Sequence, residues 1–343
     1  MKVAVLGATG AVGREFLDLF KQRRFPIDEL RLLASPRSSG QVIDGLTVRP
    51  VSASAFDGID LAFFSAGAAR SKEWAPVALQ SGAVVIDNSS AFRMDEDVPL
   101  VVPEVNWSSV QASDRLFANP NCCTIILLMA IAPLRALGKM RRLIVSTYQS
   151  ASGGGAALMD DLVQQTKDLV EGKAPKPQVS PHVYGFNVFS HNTPIDDTGH
   201  NEEEAKVMAE TRKILDQPTL QLNVTCVRVP VLRAHCESIT IEFEGRSPDE
   251  SQVREALARF PGVQVVDDRQ GNKFPMPSDS SGKNDVLVGR IRRDLDNPRA
   301  LSLFVSGDQL LKGAALNAVQ IAEQLLVDRP NGLSAGPIQV TSG

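Results

Sequence analysis

The chain has 343 residues, 43% of them hydrophobic and 22% charged, as in ordinary globular proteins, and is long enough for two domains. A formal net charge of −4, with Lys and Arg scattered along the chain, excludes a general electrostatic attraction to nucleic acid. Four cysteines, with Cys122 and Cys123 adjacent and no CxxC pair, exclude a disulfide framework and argue against a metal site.

The opening residues Met1 to Gly7 enter a strand-like run at once, without the layout of a signal peptide. No apolar stretch reaches the ~20 residues of a membrane helix. The expectation is a cytoplasmic protein with reduced thiols and no membrane partner. Short apolar runs at 3–6, 30–34, 61–65, 84–87 and 100–102 read as buried parallel strands, with helix-like segments at 13–22 and 71–81 between them. This alternation predicts a doubly wound α/β sheet.

Gly7, Gly10 and Gly13 fall at GxxGxxG spacing between the first strand and the first helix. In that context the spacing predicts dinucleotide binding: a tight turn, close backbone approach, and a helix N-terminus facing pyrophosphate. Thr9, Ala11 and Val12 lie within the same loop. After the second strand comes Ser35-Pro36-Arg37-Ser38-Ser39, where an NAD site would place an acidic residue for the ribose 2′-hydroxyl. Arg37 and Ser38 suit a 2′-phosphate instead, which favours NADP.

Asn119-Pro120-Asn121-Cys122-Cys123-Thr124 reads as a turn opening a buried helix that runs to about 137. A thiol there meets unpaired N–H groups and the positive end of the helix dipole, which stabilise a thiolate, a strong nucleophile for acyl transfer. Taken alone, a cysteine before an apolar run is more often a small core residue. A strand follows at 142–149, then a Ser/Gly turn at 152–155, a helix at 156–170 and a Pro-, Asn- and His-rich ordered loop at 174–200. A charged helix at 202–215, strands at 224–229 and 238–243, a helix at 251–258 and strands at 263–266, 286–292 and 301–305 predict a mixed, mainly antiparallel second domain. Over 310–326, Leu311, Ala315, Ala318, Ala322 and Leu325 share one helical face, so that helix returns to pack on the first domain. Residues 328–343 read as a frayed tail.

These motifs together resemble aspartate-semialdehyde dehydrogenases over about residues 1–327. The resemblance is carried by Gly7 to Gly13, Phe64-Ser65-Ala66-Gly67, Asp87 to Arg93, Asn119 to Thr124, Gln149 to Gly155, Glu202 to Lys206, Arg228 to His235 and Gly313 to Ala318. It implies a Rossmann-type domain over 1–121, completed by the helix 310–328, and an α+β catalytic and dimerisation domain over 122–309. It implies reversible conversion of 4-phospho-L-aspartate and NADPH to aspartate 4-semialdehyde, phosphate and NADP, on the route to lysine, threonine, methionine and isoleucine. A homodimer or a dimer of dimers is implied as well.

By the same resemblance Cys122 is the nucleophile, His235 the general acid/base and Gln149 the group that orients the reacting atoms. Arg228 clamps the substrate carboxylate, Glu203 holds its ammonium, and Arg93 and Lys206 bind phosphate with Asn121 nearby. Ser65, Ser152, Gly153 and Asn317 lie near the cofactor ribose and nicotinamide. The chain departs from the family pattern at Cys123, usually Ser, and at Ala234-His235-Cys236, usually Gly-His-Ser. An N-acetylglutamyl-phosphate reductase is the competing enzyme reading, against which Glu203 and Arg228 discriminate. A non-catalytic relative is a further alternative, and it would be expected to lack the thiol or the imidazole.

Overall fold

The computed structural model describes residues 1–330, 332 and 333. The frayed tail expected over 328–343 therefore falls largely outside the described residues. The described residues form two compact units: residues 1–120 with 314–330, 332 and 333, and residues 121–313.

The first unit is built on six parallel strands: β1 (Lys2–Leu6), β2 (Glu29–Ala34), β3 (Arg49–Pro50), β4 (Leu61–Phe64), β5 (Val84–Asp87) and β6 (Leu116–Ala118), in the order β3-β2-β1-β4-β5-β6. This is the strand order of a dinucleotide-binding doubly wound sheet. The central strands are apolar on both faces because helices cover both; Val3, Ala4, Val5 and Leu6 are all buried. Helix α1 (Ala11–Gln22) turns Phe16 and Phe20 inward, where their rings lie 4.8 and 5.3 Å from Phe63. Each such buried side chain stabilises the fold by about 1.5–3 kcal/mol. Helix α2 (Ala68–Gln80) returns the chain between β4 and β5.

The run at 100–102 is not a strand. Pro99 and Pro103 flank it, so it makes a single bridge, Leu100 to Ala118, before a one-turn helix at Pro103–Asn106. The sixth strand is instead Leu116–Ala118, three residues that carry too little pattern to be read beforehand.

The second unit holds a seven-stranded sheet: β7 (Met140–Gln149), β8 (Phe189–Ser190), β9 (Gln221–Arg228), β10 (His235–Phe243), β11 (Val263–Val265), β12 (Val286–Arg293) and β13 (Ala300–Gly307), in the order β8-β9-β7-β10-β13-β12-β11. As expected it is mixed and mainly antiparallel, with four of its six strand pairings antiparallel. Strand β9 runs parallel to β7, and β11 parallel to β12. The first of these follows from a long crossover through helix α4 (Ala156–Val170), the loop to residue 200 and helix α5 (Glu202–Leu215), which returns the chain in its original direction.

That loop is held by side chains of α4. The Asp161 carboxylate accepts backbone N–H bonds from Gln178, Val179 and Ser180, and Gln165 Oε1 accepts from Tyr184 N. One sheet face buries Leu143, Val145, Ile239, Ile241 and Leu303. Helix α3 (Cys122–Ile131) packs against β10, β12, β13 and α5, and all its residues after Cys122 are buried. Helix α6 (Glu250–Ala258) covers β11 and β12. The opposite sheet face carries Ile144, Tyr148, Ser238, Thr240 and Phe304, which are only partly covered.

The chain then re-enters the first unit through a π-helical turn at Leu311–Ala315 and helix α7 (Leu316–Asp328). All five residues of the expected apolar face are buried. Helix α7 packs on α1 and β5, with Glu323 paired to Arg23 at 2.6 Å and Asp328 accepting from Trp107 Nε1 at 2.8 Å. Among the described residues, no helix is long and apolar enough to cross a membrane.

Candidate active site

Asn121 is the N-cap of α3, and its Oδ1 accepts from Cys123 N at 2.9 Å and Thr124 N at 3.3 Å. Cys122 is therefore the first residue of that helix, partly exposed, while Cys123 behind it is fully buried. The backbone N–H of Asn121 donates to Glu210 Oε2 at 2.6 Å, which pins the turn to α5.

Three further residues come from one end of the sheet. In the β9/β7/β10 ladder, Arg228 is opposite Gln149, and Cys236 is opposite Tyr148. Arg228, Gln149 and His235 thus end neighbouring strands on the face that carries α3, and all three are buried. One step deeper on the same face, Cys226, Thr147 and Glu237 form a second row. His235 Nδ1 faces two donors on Ser150, the backbone N–H and the hydroxyl, both at 3.1 Å. Nδ1 accepts from that backbone N–H, which leaves Nε2, buried and without a hydrogen-bond partner, to meet a reacting group. A ring nitrogen of His235 and the Cys122 and Cys123 sulfurs all lie within 4.8 Å of one another.

Helix α5 contributes Glu203, and its start explains why this acid and not a neighbour faces the site. Asn201 caps the helix in a reciprocal pair with Glu204, which also accepts Cys226 N at 2.9 Å. Glu202 lies on the outer side and pairs with Lys206 at 2.6 Å. Glu203 is left to accept from Asn121 Nδ2 at 2.8 Å and Gln149 Nε2 at 3.1 Å through the same oxygen.

The electrostatics separate the two adjacent thiols. The Cys122 thiol is held well below the usual thiol range by a hydrogen bond from Cys123, against desolvation, and further by the His235 imidazole. Burial, and then the neighbouring Cys122, push Cys123 well above it. Burial opposes ionisation of Glu203. The bonds from Asn121 and Gln149, the Lys206 ammonium and, at acid pH, a charged His191 outweigh it and hold the carboxyl below its usual range. Gly153 lies against this group: a Cβ there would stand 3.1 Å from Arg228 Nη1 and 3.1–3.2 Å from His235. Ser152 accepts from Gln309 Nε2 and contacts Ser150 Oγ at 3.1 Å.

The first unit holds the remaining predicted residues. Gly7 has φ +92°, and a Cβ on it would meet Ser65 O at 2.3 Å. A Cβ on Gly13 would meet Gly7 O at the same distance. Both positions require glycine. A cleft of about 320 Å³ opens over this turn, lined by Gly7, Thr9, Gly10, Ser35, Pro36, Ser65 and Arg70 among others. Gly10 caps α1 without a side-chain bond, and Ala11 and Val12 begin that helix, whose first turn has no acidic residue. These features fit a bound pyrophosphate.

Arg37 is exposed on the turn after β2 and, with Ser38, does not line the cleft. Arg93 is buried, its guanidinium donating to the Asn119 and Asn88 carbonyls at 2.9 Å. Asn317 on α7 donates to Val101 O at 2.8 Å and Asn119 Oδ1 at 2.7 Å.

Several residues of these sites carried no readable motif. Glu210 and Glu237 sit on an ordinary helix face and strand, and Arg70 lies within α2. His191 and Thr193 belong to a stretch whose unusual composition was the only signal. His191 contacts Arg228, and Thr193 contacts both His191 and the first turn of α5.

Residues 2–113 match the family described as semialdehyde dehydrogenase, NAD binding domain, and residues 131–312 match semialdehyde dehydrogenase, dimerisation domain. The chain is 52% identical over 330 residues to the aspartate-semialdehyde dehydrogenase of Prochlorococcus marinus, covering 95% of this chain and 96% of that protein. It is 43% identical over 336 residues to that of Bacillus subtilis, covering 95% and 97%. Among solved structures, aspartate semialdehyde dehydrogenase II from Vibrio cholerae, complexed with ASA, is similar with a TM-score of 0.90 and 42% identity over 95% of this chain and 98% of that one.

Proposed function

Because the chain belongs to the aspartate-semialdehyde dehydrogenase family, we propose that it reduces 4-phospho-L-aspartate to L-aspartate 4-semialdehyde, reversibly, with NADPH. The observation that carries this reading is the pairing of a thiol of depressed pKa at a helix N-terminus with an imidazole nitrogen within 4.8 Å.

The Cys122 thiolate attacks the acyl carbon of the substrate. The C–O bond to phosphate breaks, phosphate leaves with the electron pair, and a thioester remains on Cys122. Bound NADPH supplies a hydride to the acyl carbon. His235 Nε2 gives a proton to the oxygen that becomes negative, and takes it back as the tetrahedral thiohemiacetal releases the aldehyde and the thiolate. Gln149 holds the reacting carbonyl in line. Arg228 binds the substrate carboxylate with its remaining N–H donors, and Glu203 binds the ammonium. Arg93 and Lys206, with Asn121, bind the leaving phosphate. The ASA complex of the Vibrio cholerae relative supports the same substrate for this chain.

Residues 1–121 with 310–328 would hold NADP, with Gly7, Thr9, Gly10, Ala11, Val12 and Gly13 at the pyrophosphate. Arg37 and Ser38 would hold the 2′-phosphate, and Ser65, Ser152, Gly153 and Asn317 would hold the ribose and nicotinamide. The fit of the glycine cleft to a pyrophosphate supports this. Residues 122–309 carry catalysis and dimerisation. The partly covered face of the seven-stranded sheet, with Ile144 37% exposed and Tyr148 6.1 Å from Phe304 ring to ring, supports a homodimer formed there, with pairing into tetramers a further step. The enzyme would act in the cytoplasm, in the synthesis of lysine, threonine, methionine, isoleucine and diaminopimelate.

Purified protein given aspartate semialdehyde and phosphate should reduce NADP. Cys122→Ser should lower the rate on the order of 1,000-fold or more, while Cys123→Ser should retain activity within about tenfold. Full activity in Cys122→Ser would overturn the assignment.

A further inference from the structure

Arg228 is buried in the second unit, and its guanidinium makes two bonds: Nη1 to Ser150 O and Nη2 to His191 Nε2, both at 2.9 Å. A guanidinium can only donate. His191 Nε2 must therefore offer a lone pair, and the proton of the neutral ring sits on Nδ1. Nδ1 lies 3.2 Å from Thr193 Oγ1, and this hydroxyl also accepts the Glu203 backbone N–H at 3.3 Å. One chain of bonds thus runs from Arg228 through His191 and Thr193 to the first turn of α5.

The backbone sets this arrangement. The two-residue strand β8 pairs Phe189 opposite Arg228, and His191 N then donates to Cys226 O at 2.9 Å. That register delivers the imidazole to the guanidinium. His191 is only 7% exposed, so no water substitutes readily for it.

We propose that His191 is a positioning residue for the substrate-carboxylate clamp: its neutral imidazole fixes the Arg228 fork and, through Thr193, ties it to the helix that presents Glu203. The two groups that hold the ends of the amino-acid substrate are then set at a fixed separation by one bonded chain. This rests on the roles of Arg228 and Glu203 given above. Burial, and then the Arg228 charge, lower the His191 pKa to about 4, in keeping with a neutral ring at working pH. An imidazolium would lose the acceptor and set a second cation against Arg228.

The test compares His191→Ala and His191→Gln in the full-length protein. His191→Ala removes the acceptor and leaves a buried donor unpaired. The KM for aspartate semialdehyde should rise about tenfold or more, with kcat within about threefold and the KM for NADP unchanged. His191→Gln, whose amide oxygen can accept the same bond, should restore most of the lost affinity, and a general packing defect would not be rescued in this way. Phenylglyoxal modification of Arg228, followed by mass spectrometry, reads the contact without turnover and should be faster in His191→Ala than in wild type. An unchanged KM, equal losses in kcat and in the KM for NADP, or an unchanged modification rate would overturn the proposal. If wild type shows no semialdehyde-dependent reduction of NADP while His191→Ala still exposes Arg228, the enzymatic reading fails and the hold of His191 on Arg228 stands.

Discussion

Glu237 shows most directly how a single side chain can be set by its surroundings. It lies one row below His235, fully buried, and neither carboxylate oxygen has a hydrogen-bond partner. Burial, and then the Cys122 charge, raise its pKa well above the usual carboxylate value. The folded protein therefore keeps the proton that the unfolded chain releases above about pH 4.5. With more protons bound in the native state, stability falls as pH rises through that window. Glu237→Gln cannot titrate, so its stability relative to wild type should increase between pH 5 and 8, by up to ~1.4 kcal/mol per pH unit. Denaturant melts at several pH values check this, and a difference that stays flat with pH would show Glu237 to be ionised. At the same scale, Ala234 adopts φ +74°, a left-handed backbone that favours glycine. That explains why the family pattern has Gly there, and Ala234 keeps the geometry through its N–H bond to Gln309 Oε1 at 2.8 Å.

Among the elements, the turn between β1 and α1 has the least freedom. Gly7 and Gly13 interlock so closely that a methyl group on Gly13 would reach Gly7 O at 2.3 Å and Ala8 Cα at 2.7 Å, both backbone atoms. Gly13→Ala should cost about 1–3 kcal/mol in stability and also weaken binding of NADPH, because the same turn forms the cleft. Thermal melts and a fluorescence titration with NADPH measure the two effects. Helix α5 illustrates a different economy of residues. Three consecutive glutamates divide among an outer ion pair, the site and the cap, and the cap fixes which does which. The helical repeat places 202, 203 and 204 in successive directions, and the three-residue spacing to Lys206 singles out Glu203; in the structure Lys206 pairs with Glu202 instead, and it is the cap that turns Glu203 to the site.

For the whole molecule, the testable feature is assembly. The outward face of the seven-stranded sheet mixes Ile144, Tyr148 and Phe304 with Ser238 and Thr240, a composition suited to burial against a second copy. Ile144→Asp, placed at the middle of β7, should shift the equilibrium toward monomer by about tenfold or more in sedimentation velocity, without unfolding the unit. A monomeric wild type would remove the homodimer from the reading.

The longer elements and their order, the glycine turn, the cysteine at the head of α3 and the return of the last helix were legible in the sequence, because each rests on local chemistry: periodicity, turn residues, and a cap next to an apolar run; the two-residue strands at Arg49–Pro50 and Phe189–Ser190 were not. Helices 156–170 and 202–215 coincide with the structure for the same reason. The sixth strand was not legible, since three residues between the polar Asp114-Arg115 and Asn119-Pro120 carry no period. Nor was the parallel pairing of β9 with β7, which depends on where a crossover of some seventy residues re-enters.

At the site, the sequence by itself determined which residue types are available and on which element each sits. Only the tertiary structure decided their neighbours. The sheet register sets Arg228, Gln149 and His235 side by side, the cap of α5 turns Glu203 rather than Glu202 or Glu204 to them, and a loop with no motif brings His191 to Arg228. Register and capping are relations between distant segments, fixed by which hydrogen bonds close in three dimensions, and no run of adjacent residues encodes them.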